Sequence, residues 1–131
     1  MPSTRVHYSD IRFALRRAGV DPIRVFDNWY NVCTQSWWEI AVSLWEPVRP
    51  FVDDDHDCDD FALDFMMWCR SLNVGSVGIV ISVGAMPHVF NVIVFQDNTV
   101  HFFEPQSRTW LTKDNGLDKG LYLLEGATVL I

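Results

Sequence analysis

A single thiol, Cys58, lies inside a run of acids. Asp53, Asp54, Asp55, Asp57, Asp59 and Asp60 put six carboxylates into eight positions, with His56 among them. In residues 59–72, Phe61, Ala62, Phe65, Met66, Cys69 and Leu72 recur at three- and four-residue spacing, the pattern of an amphipathic helix. Cys58 therefore stands at a helix start, where the first amide N–H groups and the helix dipole favour a thiolate. A thiolate can act as a nucleophile if a base lies within hydrogen-bond reach and a third group orients that base. His88 follows Pro87 and opens an apolar stretch, and Glu104 precedes Pro105 and closes the next one; these are the candidate base and orienter. The neighbouring carboxylates oppose this chemistry, because like charges raise a thiol's pKa. A cationic His88 would offset them, and so would a bound cation. Asp55, Asp57, Asp59 and Asp60 are the candidate ligands for calcium or manganese, although the run is not an EF-hand: Cys58 and Asp64 stand where that loop needs Gly and Glu.

Strand parity decides whether His88 and Glu104 can meet. A two-residue Asp97-Asn98 loop would pair Asn91 with Glu104 and turn Glu104 away from His88. A three-residue loop centred on Asp97 would pair Phe90 with Glu104 and set Glu104 diagonal to His88 on the same face. The Cys58, His88, Glu104 arrangement thus requires an odd loop or a bulge.

The elements that must position these groups read as helices first and strands second. Residues 9–19 form a short helix, with Ser9 as N-cap and Gly19 as its stop. Residues 34–45 form a second helix that ends before Pro47. Residues 77–83, 88–95, 100–104, 121–124 and 128–131 read as strands. The order, helices first and then an antiparallel sheet, predicts an α+β fold, one domain over residues 1–131.

Composition narrows the partners. Ten basic against 17 acidic residues give a net charge of −7, which argues against nucleic acid. No apolar run reaches membrane-spanning length, so no membrane partner is expected. The polar start Met1-Pro2-Ser3-Thr4-Arg5 lacks a signal core, and the expected location is cytoplasmic. The three cysteines read as reduced thiols, with Cys33 and Cys69 buried in the core. Trp37, Trp38 and Trp45 fill a small core, or serve as a surface for self-association or a protein partner.

The blocks Asp57-Cys58-Asp59-Asp60-Phe61-Ala62, His88-Val89-Phe90-Asn91-Val92 and Phe103-Glu104-Pro105-Gln106 resemble the papain-like and transglutaminase-like cysteine-enzyme superfamily. They are most similar to the papain-like C-terminal domain of the fairy-ring mushroom agglutinin and to small phage proteins related to it. The resemblance implies a papain-like fold, with the Cys-bearing helix packed on an antiparallel sheet that carries the His and the acid, and a cysteine hydrolase or transamidase, a thiol protease in type, acting on peptide or protein amide bonds. In it Cys58 is the nucleophile, His88 the general base and Glu104 the orienter. It also implies activation by calcium-type cations. Where the family supplies an oxyanion donor from a Gln shortly before the Cys, this chain offers only the remote Gln35, with Gln106 as a supporting residue. The same fold could serve instead as a non-catalytic binding module or phage virion component, with the aromatic first half as its interface; host cytoplasm or virion would then be its place.

Overall fold

The structure, a computed structural model, describes residues 4–21, 23–47, 50–53, 57–84 and 86–131. Strand β1 (Thr4–His7) leads directly into helix α1 (Tyr8–Arg17), and β2 (Ile23–Arg24) and β3 (Trp29–Val32) follow. Two further helices, α2 (Gln35–Ser43) and α3 (Cys58–Ser71), precede β4 (Val77–Ser82), β5 (His88–Val94), β6 (Val100–Glu104) and β7 (Thr109–Leu111). A short 3-10 turn (Gly120–Tyr122) and β8 (Thr128–Leu130) complete the described elements. The chain is α+β. β1 and β3 pair as an antiparallel ribbon, and the main sheet runs β2-β8-β4-β5-β6-β7.

Several sequence expectations change here. The first half is not purely helical: β1, β2 and β3 lie within it. The sheet is mixed, because β2 runs parallel to β8. Residues expected as a strand at 121–124 include the 3-10 turn, and β7 is an additional strand. Ser9 does not cap α1. His7 is the N-cap, and its ring accepts the Ser9 amide at 3.3 Å. Thr34 caps α2 by accepting the Trp37 amide at 3.2 Å.

The side-chain period of two splits β5 between two cores. Phe90, Val92 and Val94 pack with Ile11, Ala14 and Leu15 of α1. Ile93, with Phe95 just past the strand, packs with Trp38, Trp45, Ala62, Phe65 and Met66 from α2, α3 and the end of the α2 segment. The sheet is therefore covered by α1 on one face and by α2 and α3 on the other. Trp38 and Trp45 are fully enclosed in the second core, which removes them as an interface. Cys33 and Cys69 are buried free thiols in the same core, as expected. Gly78 permits the close approach of β8 to β4. A Cβ there would sit 2.5 Å from the Leu130 carbonyl oxygen. Among the described residues no helix is long and apolar enough to cross a membrane.

Candidate functional site

The hairpin between β5 and β6 has the odd loop that the parity argument requires. Asn91 stands opposite Phe103 and Val94 opposite Val100, a register that places Phe90 opposite Glu104. Gln96, Asp97 and Asn98 form the loop, closed by Phe95 N–H to Thr99 O and by Asn98 N–H to Phe95 O, both 2.9 Å. Asn98 supplies the left-handed backbone that this three-residue turn needs, at φ 64°. Asp97 accepts from the Thr99 amide and hydroxyl, which holds the turn and lowers the Asp97 carboxyl below its ordinary value.

With that register, His88 Nε2 and Glu104 Oε2 lie 2.6 Å apart, both residues buried. The Gln106 amide donates to Glu104 Oε1 at 3.1 Å. Gln106 thus supports the site through its backbone. A residue that sequence reasoning missed completes the set: the Tyr122 hydroxyl donates to Glu104 Oε2 at 3.1 Å. Its ring stands edge-on to His88 at 5.3 Å and to Phe90 at 5.3 Å. Burial, then the Glu104 charge and hydrogen bond, push the Tyr122 phenol up to about 12. No local pattern marks Tyr122, since it reaches the site from a turn that read as a strand.

Cys58 is the first residue of α3. The helix start is a capping box: the Asp57 side chain takes the amide three residues on, and Asp60 Oδ2 accepts the Asp57 amide at 3.2 Å. The thiol is half-buried, close to the backbone of Val89 in β5. Parity puts the His88 and Glu104 side chains on the face of Phe90, while α3 packs on the other face of the sheet. Among the described residues no hydrogen bond joins Cys58 to His88. Burial pushes the Cys58 thiol above its ordinary value; the Val89 amide opposes this, the Asp57 and Asp59 charges add to it, and the Asp59 amide opposes it again. The helix-start effect is therefore outweighed, the reverse of the expected activation.

The remaining sequence candidates separate. Gln35 lies at the hairpin-tip end of β5, bordering a cavity with Phe95, Gln96 and Asp97 and donating to Glu39 at 3.3 Å. It is not at the Cys58 end and does not serve as an oxyanion donor to that thiol. Asp60 is engaged in the capping box. Asp55, with Asp54 and His56, lies outside the described residues. Asp57, Cys58 and Asp59 bring one ligand atom each within 4.8 Å of one another. Two carboxylates and a soft thiol do not match the six to eight oxygens that calcium takes.

No protein-family model matches the chain, and no curated protein matches it in sequence. Among solved structures it is similar to one described as "PSL1a-E64 complex", at TM-score 0.63 and 21% identity, covering 97% of this chain and 51% of that one. It is also similar to the Polyporus squamosus lectin bound to Neu5Aca2-6Galb1-4GlcNAc, at TM-score 0.61 and 20% identity, covering 97% of this chain and 49% of that one. The chain thus spans about half the length of these neighbours. At these identities the likeness is one of fold. The expectation of a thiol-protease type of hydrolase is corrected by these comparisons and by the raised Cys58 thiol: the Polyporus squamosus neighbour is by name a lectin, and what this chain shares with both neighbours is an α+β fold.

Proposed function

We propose that this chain is a non-catalytic binding module, that its contact surface is the aromatic and cationic ribbon of the first half, and that its ligand is a carbohydrate. The observation that carries the reading is Trp29, a large aromatic left 53% exposed on β3. The Arg5 guanidinium lies 5.6 Å from its ring centre and the His7 ring stands edge-on at 5.1 Å. The Tyr8 ring lies tilted beside His7 at 4.2 Å, with Arg12 over it at 5.3 Å. Trp, Tyr and Arg are the residues that dominate binding hot spots, because they offer large rigid contact area with polar edges. Polar cations around an open aromatic face suit a ligand with both apolar C–H faces and hydroxyls. The glycan-bound lectin among the neighbours supports that ligand class. The test is titration with the trisaccharide Neu5Aca2-6Galb1-4GlcNAc, read by tryptophan fluorescence and amide shifts. Saturable changes centred on Arg5, His7 and Trp29, abolished in Trp29→Ala, are the expected result. No change at millimolar glycan overturns the carbohydrate assignment.

A further inference from the structure

We infer that the outer face of the β1–β3 ribbon is a site for an acidic saccharide, with the sugar's carboxylate on the Arg5 guanidinium and Arg12 as a second cation that draws it in. The inference rests on the carbohydrate reading and adds the chemical class of the ligand.

Register decides which side chains form this face. Val6 stands opposite Tyr30, and both pack into the core that holds Ile11 and Leu15 of α1. The period of two then turns the alternate residues outward, His7 opposite Trp29 and Arg5 opposite Asn31. These outward groups join into one line. The Arg5 guanidinium lies 5.6 Å from the Trp29 ring centre, the Trp29 and His7 rings are 5.1 Å apart, the His7 and Tyr8 rings 4.2 Å apart, and Arg12 lies over Tyr8 at 5.3 Å. Three rings in contact thus carry a guanidinium at each end. Across from Arg5, Asn31 Nδ2 donates to Asn73 Oδ1 at 2.8 Å at the exposed surface, a linked pair of amides suited to sugar hydroxyls. The line is also ordered in advance, because His7 Nδ1 accepts the Ser9 amide at 3.3 Å as the cap of α1.

Charge selects the ligand class. Arg16 and Arg70 pair with Asp21 and Asp27, whereas among the described residues neither Arg5 nor Arg12 makes an ion pair. Asp10, in the first turn of α1, is the acid nearest to them in sequence and opposes an anion only in part. On a chain of net charge −7, two guanidiniums without an acid partner beside open rings make a local cationic site. A neutral sugar would use the rings and leave both cations idle. A carboxylate gains a charge-assisted contact with the guanidinium fork while the ring it is attached to lies against Trp29.

The experiment titrates the full chain with two matched probes, Neu5Aca2-6Galb1-4GlcNAc and the same trisaccharide with its carboxylate converted to the primary amide. Binding is read by tryptophan fluorescence and amide shifts. The acid form is expected to bind about tenfold tighter, the worth of one charge-assisted contact, with an advantage that shrinks in high salt. Arg5→Gln removes most of that advantage and Arg12→Gln part of it. Arg16→Gln, one turn further along α1 and paired with Asp21, keeps it. An equal loss in Arg16→Gln would make the effect one of net charge and overturn the inference. Equal affinity of the wild type for the two probes overturns it too, and leaves the carbohydrate reading standing. No saturable binding of either probe overturns both.

Discussion

The Asn91 side-chain amide, in the middle of β5, donates to the Ala62 carbonyl of α3 at 2.9 Å. It also donates to the Gly78 carbonyl of β4 at 3.1 Å. One buried side chain thus ties the Cys58 helix to two strands, three residues along β5 from His88. It fixes how far α3 can slide along the sheet, and with it where the thiol sits relative to the His88–Glu104 pair.

Asn91→Leu keeps the branching at Cγ but removes both donated bonds from a fully buried site. The expected loss is about 2–3 kcal/mol of folding stability, read as a lower urea midpoint at unchanged slope. A midpoint within experimental error of wild type would show that α3 is held by apolar packing alone.

Charge around Cys58 gives a second expectation. Asp57 and Asp59 add to the burial that holds the thiol high. Asp57→Asn with Asp59→Asn removes two like charges while Asn retains capping ability. The pH midpoint of iodoacetamide labelling should fall and the rate at pH 8 should rise. A midpoint that stays put would assign the shift wholly to burial.

Alkaline stability follows from the buried acids. Burial pushes the Cys33 thiol up to about 12 and the Cys69 thiol well above its ordinary value, and Tyr122 also stands at about 12. The folded chain holds these protons more tightly than the unfolded chain, so the unfolded state sheds them first. Stability from this source is intact at neutral pH and is lost as pH rises from about 9 towards about 12. Urea midpoints should fall steadily over that window, with a shallower fall in Cys33→Ala. A flat profile would contradict the burial of these groups.

The tryptophans divide by environment. Trp38 is 1% exposed against Phe65 and Phe95, and Trp38→Ala should cost about 3–5 kcal/mol. Trp29→Ala, at an exposed site, should cost under about 1 kcal/mol while removing the proposed ligand contact. Denaturation curves of the two variants check this contrast, and a large loss in Trp29→Ala would make that residue structural.

Local pattern was enough to place the Cys58 helix, because its apolar spacing and acidic cap are properties of consecutive residues. It also sufficed to state the condition for His88 and Glu104 to share a face, because parity is fixed by counting. Meeting that condition depended on the fold. The odd loop forms because Asn98 takes the left-handed conformation and Asp97 binds Thr99, choices that the Asp97-Asn98 pair alone does not force. The three early strands were missed because β1, β2 and β3 are two to four residues long and their partners lie far along the chain. Tyr122 and Gln35 make the same point in opposite directions: one is drawn into the site from a turn 18 residues beyond Glu104, the other is carried to the far end of β5. The sequence by itself determined which residues could do chemistry and which helix bears the thiol. Only the tertiary structure decided that Tyr122 joins His88 and Glu104, that Trp38 and Trp45 are core, and that Trp29 is not. Side-chain periodicity reports which face a residue takes on its own element, and long-range packing alone determines what lies across from that face.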